Sequence, residues 1–292
     1  MDKKICIVTG ANAGIGKQAA CQIAKEGYHV IMACRNKERG KTALDEIKKA
    51  NPSSSIELQI VDLGLRESVV NFVKEFNSKY ERLDVLVHNA AIFNVTQKVR
   101  KETAEGIETL WATNHLGPVL MTQLLQKNLE KSDNGRIITI ASKGLLAKPR
   151  LKVNLDDPEF LSNRFNVVNA YYQSKLAQII YTLWLSQNFK DTNITANCIR
   201  VTAVKIDISR HPDLSAFMKW VYSIKAKNSI SPEDMAKIYT DLAVSSKYNN
   251  ISGKYFDEHS DMVTMPKYCI DKDNIKAVME LTKKYIPEIG EV

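Results

Sequence analysis

Cysteine is scarce in this 292-residue chain, and its five copies, at positions 6, 21, 34, 198 and 269, show no CxxC spacing. Neither a disulfide framework nor a cysteine-based metal site is expected. Cys6 and Cys34 fall inside apolar strand-like runs, where cysteine acts as a small hydrophobe. No apolar run approaches the ~20 residues of a membrane-spanning helix. No signal-peptide pattern precedes the first apolar run, because Met-Asp-Lys-Lys leads straight into Ile-Cys-Ile-Val, so a soluble, cytoplasmic protein is expected. Basic clusters interleaved with aromatics are also lacking, which argues against a nucleic-acid partner. Disorder is excluded by the 44% hydrophobic and 25% charged residues, a balance that fills a core.

The chain does carry a net charge of +8, and it is uneven. Residues 1–50 hold ten Lys or Arg against five Asp or Glu, whereas residues 251–292 hold six against eight. An N-terminal excess of this kind suits an anionic ligand.

Strand-like and helix-like patterns alternate along the sequence. Strands are expected at Lys4–Thr9, His29–Cys34, Ile56–Val61, Val85–His88, Arg136–Ala141, Asn193–Ile199 and Lys254–Phe256. Between and after them, helices are expected at Gly14–Glu26, Lys37–Ala50, Arg66–Lys79, Thr103–Asn128, Ala170–Phe189, Ser231–Val244 and Lys272–Tyr285. Each helix returns the chain to begin another strand, which forces parallel pairing and right-handed crossovers. The expectation is a single α/β domain over residues 1–292: a doubly wound, Rossmann-type parallel sheet of about seven strands with helices on both faces.

The first strand runs into Thr9-Gly10-Ala11-Asn12-Ala13-Gly14-Ile15-Gly16-Lys17. In a dinucleotide loop Gly10 permits the tight turn, Gly14 lets backbone N–H groups approach a pyrophosphate, and Gly16 lets helix and strand pack closely. The helix N-terminus adds partial positive charge at that point. Further on, Tyr171 and Lys175 stand four apart on one helical face, where an ammonium favours the phenolate. Ser142 closes a parallel strand, the end at which such sheets bind ligands. Pro118 has no N–H for the Asn114 carbonyl four residues earlier, so the helix should kink there and leave a carbonyl that wants water.

These motifs resemble the short-chain dehydrogenase/reductase family, from about Lys4 to Phe256. The resemblance rests on Thr9–Gly16, Val87-His88-Asn89-Ala90-Ala91, Asn114-His115-Leu116-Gly117, Gly135–Ser142 and Tyr171-Tyr172-Gln173-Ser174-Lys175. It is nearest the retinol-dehydrogenase-like and WW-domain-oxidoreductase-like branch, and it implies an oxidoreductase working with a nicotinamide cofactor. Ser142 would then hold a carbonyl oxygen, Tyr171 would act as general acid, and Lys175 would tune Tyr171 and bind the nicotinamide ribose. Asn114 would hold a relay water. Gly10, Asn12, Ala13, Gly14, Ile15, Gly16, Asp62, Leu63, Asn89 and Ala90 would contact the cofactor, and no metal is implied. The helices bearing Asn114 and Tyr171 would form a homodimer face.

Cofactor choice has its own signal. Asp or Glu usually ends the second strand to bind a ribose diol, but here the strand ends in Ala33-Cys34-Arg35-Asn36. Arg35 suits a 2′-phosphate, with Lys17 close by, so NADPH is expected over NADH. The sequence departs from the branch at Ile199-Arg200-Val201-Thr202-Ala203-Val204-Lys205-Ile206. Val201 and Thr202 replace Pro-Gly, Ile206 falls where a threonine is expected, and Thr202 is left as the carboxamide contact. The long 143–168 segment is expected as a flap over the substrate mouth. Residues 209–228, with Leu214, Phe217, Met218, Trp220, Val221 and Tyr222, read as a small helix or as a substrate lid. The function expected is an NADPH-dependent carbonyl reductase, reversible as an alcohol dehydrogenase, acting on a lipophilic or aromatic carbonyl compound. A catalytically impaired NADP(H)-binding regulator and a dehydratase or epimerase are the rivals.

Overall fold

The strands are apolar on both sides, the mark of a sheet covered by helices on each face. The computed structural model describes residues 3–205 and 229–287. Its strands are β1 (Ile5–Thr9), β2 (His29–Cys34), β3 (Ile56–Ile60), β4 (Val85–His88), β5 (Gly135–Ser142), β6 (Ile194–Val201) and β7 (Tyr255–Phe256). They form one seven-stranded sheet in the order β3-β2-β1-β4-β5-β6-β7, parallel throughout. The longer helices are α1 (Gly14–Lys25), α2 (Lys37–Ala50), α3 (Arg66–Lys79), α4 (Gly117–Glu130), α5 (Val167–Asn188), α6 (Pro232–Val244) and α7 (Lys272–Tyr285). The doubly wound, Rossmann-type α/β architecture is as the sequence predicts.

Alternation along the strands sorts the core into two layers. Ile7, Leu86 and Ile137 face one way and pack with Phe72, Leu125, Leu176 and Val278, from α3, α4, α5 and α7. Their neighbours Val8, Val87 and Ile138 face the other way and pack with Ile23, Ile47 and Leu242, from α1, α2 and α6. The order reverses at β1, which pairs with β2 on one side and β4 on the other. A crevice for ligands opens there, beyond the strand C-termini.

The long helix expected over 103–128 starts later. Gly106 takes φ +79, and the buried Glu108 carboxylate accepts the Leu110 and Trp111 N–H groups, so the first turn is Thr109–Trp111. A π-helical turn, Ala112–Leu116, follows and leads into α4. Pro118 breaks the ladder as expected, and the helix accommodates it by widening: the Gly117 N–H bonds the Ala112 carbonyl, five residues back.

The 143–168 segment, expected as a flap, is held by its own polar contacts. After a short 3-10 helix (Lys143–Ala147) it folds on itself, with Asp157 accepting the N–H groups of Leu161, Ser162 and Asn163. Glu159 ties it to the Arg100 guanidinium at 3.2 Å and the Tyr285 hydroxyl at 2.8 Å. Among the described residues none from 143–168 lines the cavity beside Tyr171. Glu159 thereby braces the segment against the start of the Asn114 helix and against α7. The 209–228 lid and Ile206 lie outside the described residues. No described helix is long and apolar enough to cross a membrane.

Candidate active site

Between β1 and α1 the glycine loop is built by close contacts. Gly10 has φ +67, and a Cβ there would stand 2.9 Å from the Ala90 Cα. A Cβ on Gly16 would meet the Gly10 carbonyl at 2.7 Å and the Asn89 amide closer still. Asn89 explains the crowding, since its Nδ2 donates to the Thr9 carbonyl at 2.9 Å. Thr9 Oγ1 in turn donates to the Val87 carbonyl and accepts the Ala90 N–H. Gly14 is different: φ is +55, and a Cβ there would touch nothing within 4 Å. Its Cβ direction is open space, so no protein contact there requires a glycine, only its positive φ.

One cleft of about 600 Å³ runs along this loop. Gly10, Asn12, Ala13, Ile15, Gly16, Arg35, Asp62, Leu63, Asn89 and Ala90, all expected to bind cofactor, line it. Asp62 is the only acid in the lining among the described residues. One of its carboxylate oxygens accepts the Gly64 N–H and the other lies 4.0 Å from Arg35 Nε. Arg35 is 65% exposed at the cleft wall. Lys17 does not join it, because its ammonium is held by Glu46 on α2. The second guanidinium at the cleft is Arg39, which the sequence reading missed. Gly14, also expected to bind cofactor, is not in the lining, yet a dinucleotide fits it: backbone at Gly10, Asn12, Ala13 and Gly16, a helix N-terminus beside them, and two cations at the far end.

A second cavity of about 470 Å³ adjoins the first, sharing Ile15, Asn89, Ala91 and Phe93. Ser142, Tyr171, Lys175 and Thr202 meet in its wall. Ser142 comes from the last residue of β5, and its Oγ accepts the Gly144 N–H at 3.2 Å. Tyr171 and Lys175 come from successive turns of α5. Burial pushes the Tyr171 phenol above its ordinary range, with Tyr172 adding to this and a hydrogen bond to Ser142 opposing it. Burial also lowers the Lys175 ammonium to about 8. The expected effect of Lys175 on Tyr171 is not present in this geometry. Lys175 Nζ donates to the Ile140 carbonyl at 2.9 Å and stands 5.7 Å from the centre of the Tyr171 ring. Desolvation therefore governs the phenol.

Asn114 sits inside the π turn, and its side chain is fully engaged. Oδ1 accepts the Ile92 N–H at 2.8 Å, while Nδ2 donates to the Ile92 carbonyl and to Ser174 Oγ. The side chain thus joins the loop after β4 to α5, and the backbone carbonyl is denied its ordinary α-helical partner, since Pro118 has no N–H. Gly117 completes the motif, because a Cβ there would strike the Leu63 carbonyl.

Two further residues escaped the sequence reading. Phe93 stacks on the Tyr171 ring at 4.2 Å and 22° while remaining 40% exposed. Its only sequence signal is its place in the loop that leaves β4 toward the site. Glu258, after β7, pairs with Lys143 at 2.7 Å. Burial raises the Glu258 carboxyl, but Lys143, its own backbone N–H and the Thr202 hydroxyl outweigh this and hold it below the usual range. Thr202 thus lines the cavity with its hydroxyl already turned toward a carboxylate.

Comparison with known proteins places the chain in a family. A family model described as short chain dehydrogenase matches residues 4–150. Retinol dehydrogenase 13 of Homo sapiens is 32% identical over 260 residues, covering 87% of this chain and 76% of its own length. The Mus musculus protein of the same name is 33% identical over 270 residues, covering 90% and 78%. Among solved structures, a protein from Mycobacterium paratuberculosis shares the fold with a TM-score of 0.73 at 23% identity, covering 96% of this chain and 92% of that one. A short chain dehydrogenase from Shigella flexneri 2a, crystallised with NADP, gives 0.67 at 23%, covering 89% and 98%. With the glycine loop, the Ser142, Tyr171 and Lys175 cluster and the π-turn asparagine on one sheet edge, the chain belongs to the short chain dehydrogenase family, as an oxidoreductase of its retinol-dehydrogenase-like branch.

Proposed function

We propose that this protein is an NADPH-preferring carbonyl reductase, reversible as an alcohol dehydrogenase, that acts on a lipophilic or aromatic carbonyl compound. The observation that carries the reading is the continuity of the two cavities: the Ser142, Tyr171 and Lys175 wall opens directly onto the glycine-loop cleft. A bound nicotinamide would supply or accept the hydride there. Ser142 Oγ holds the carbonyl oxygen, and Tyr171 gives it a proton as general acid. Lys175, which donates to the Ile140 carbonyl, would hold the ribose hydroxyls of a bound cofactor, and its charge would then favour the Tyr171 phenolate. The Asn114 carbonyl seats the water that refills the proton. The Phe93, Val95, Ile140, Val201 and Val204 side chains give the second cavity an apolar wall, which favours a lipophilic substrate. Arg35 and Arg39 favour the 2′-phosphate of NADPH, a choice supported by the NADP carried by the Shigella flexneri structure. Residues 1–292 are proposed to act as one domain.

A homodimer through the helices of Asn114 and Tyr171 is part of the proposal. Leu110 to Thr122 are buried within the single chain, but Gln123, Leu124 and Lys127 on α4 and Leu183, Trp184 and Gln187 on α5 keep part of their surface for a second copy.

The test is NADPH consumption with a panel of aryl and long-chain aldehydes and ketones. Tyr171→Phe should slow turnover by about 10²–10⁴-fold, the usual worth of a positioned acid, at unchanged NADPH affinity. NADPH binding without consumption across the panel would overturn the reading in favour of a regulator.

A further inference from the structure

We propose that the C-terminal helix α7 is part of the proton-transfer apparatus: Thr282 holds His115, and His115 holds the π turn that presents the Asn114 carbonyl. The inference rests on the reading of Asn114 and Tyr171 given above.

His115 follows Asn114 directly and is fully buried. Its Nε2 lies 2.8 Å from Thr282 Oγ1, and Thr282 Oγ1 donates its own proton to the Val278 carbonyl at 2.7 Å. Thr282 therefore accepts, and His115 carries its proton on Nε2. His115 Nδ1 is then free to accept from Gln178 Nε2 at 3.3 Å, on α5 two turns beyond Tyr171. One ring thus joins the π turn, the Tyr171 helix and α7, with Trp111 packed against it at 4.6 Å. Burial lowers the imidazole to about 3, so it is a neutral pin near neutrality.

The turn needs such a pin. Pro118 removes the N–H that would otherwise fix the Asn114 carbonyl, and a π turn differs from an α turn by one ladder step. The Asn114 side chain is held by Ile92 and Ser174, but those bonds do not fix its carbonyl. A second tether runs to the start of the same helix. The Tyr285 hydroxyl on α7 donates to Glu159 Oε1, Glu159 Oε2 accepts the Glu108 N–H, and Glu108 caps Leu110 and Trp111. Helix α7 therefore grips the relay helix at its start and at its π turn, which makes Thr282 and His115 positioning residues.

Thr282→Val keeps the side chain's shape and removes the acceptor. In the wild type and this variant, three quantities are measured: kcat with a carbonyl substrate, the solvent deuterium isotope effect on kcat, and NADPH affinity by fluorescence. The expected result is a 5–30-fold fall in kcat with a larger isotope effect, unchanged NADPH affinity, and restoration by Thr282→Ser. Amide exchange at residues 115–117 of the cofactor-free protein should rise about tenfold. A lower melting temperature with kcat and isotope effect unchanged would overturn the inference. If Thr282→Val does not fold, Tyr285→Phe loosens the same helix, and it should give a severalfold loss of the same kind; no change in either kinetic quantity overturns the proposal equally. A wild type that turns over no carbonyl would instead sink the functional reading on which it rests.

Discussion

Arg35 and Arg39 stand four positions apart at the adenosine end of the cleft, on either side of Asn36, whose side chain caps α2 through the Arg39 N–H at 2.9 Å. A 2′-phosphate placed there meets two guanidinium groups and the N-terminus of a helix, whereas a ribose diol meets no carboxylate at the strand tip. Arg35→Ala should cost about 1.5–3 kcal/mol of NADPH binding, the range for a hydrogen bond to a charged group, and change NADH affinity little. Arg39→Ala should act in the same direction, and the pair together should bring the two cofactors to similar affinity. Calorimetric titration of each variant with both cofactors measures this, and a wild type that prefers NADH overturns the assignment. Arg35 was legible in the sequence because the expected acid is missing at its position. Arg39 was not, because it lies in the run Lys37-Glu38-Arg39-Gly40-Lys41, where only the rotation of α2 decides which charge faces the cleft.

Elements bounded by strong local chemistry were read to the residue. Helix α2 spans Lys37–Ala50 as expected, set by the Asn36 cap and the following Asn51-Pro52. Where tertiary contacts decide, the reading ran past the true boundary, as at Gly106 and Glu108, whose cap is visible only once the carboxylate is seen turned back on Leu110. The contacts that hold the 143–168 segment are hidden for the same reason, since nothing local announces that Glu159 reaches Arg100 and Tyr285. The glycine loop shows how far spacing alone can go: it marks all three glycines but not their different jobs. Gly16→Ala drives a Cβ into the Asn89 amide and the Gly10 carbonyl, so it should cost about 1–3 kcal/mol of stability and also weaken NADPH binding. Gly14→Ala meets no protein atom within 4 Å and carries only the ~1–2 kcal/mol strain of a left-handed residue, while the loop motif expects a pyrophosphate against this backbone. Its loss of affinity should therefore exceed its loss of stability. Urea unfolding read beside NADPH titration separates the two, and equal profiles for both variants would refute this division of roles.

At the scale of the whole molecule, the groups buried around the sheet give folding a defined pH window. His88, on β4, donates from Nε2 to Thr122 Oγ1 at 2.7 Å, because Thr122 has already given its proton to the Pro118 carbonyl. Its Nδ1 is buried without a partner among the described residues, and burial lowers the imidazole to about 3; His115 is lowered to about 3 by the same cause. Unfolded histidine titrates near 6.5, so between about 6.5 and 3 the unfolded chain binds more protons than the native one. The contribution of these histidines to stability is complete above about pH 6.5 and is lost as pH falls. Each adds a slope of up to about 1.4 kcal/mol per pH unit, and by pH 4.5 the pair removes about 5 kcal/mol, comparable with the whole stability of many domains. The alkaline side has the opposite sign. Burial raises the thiols of Cys6, Cys34, Cys198 and Cys269, so the native state keeps protons that the unfolded chain releases above about pH 9, and stability falls again there. Stability should therefore crest between about pH 6.5 and 9. Urea unfolding from pH 7.5 to 4.5 should show the steep acid limb in the wild type. His88→Gln should start from a lower stability at pH 7.5 but lose it more slowly, its slope shallower by about 1.4 kcal/mol per pH unit. An acid limb of the same slope in both proteins would show that His88 is not among the groups that set it.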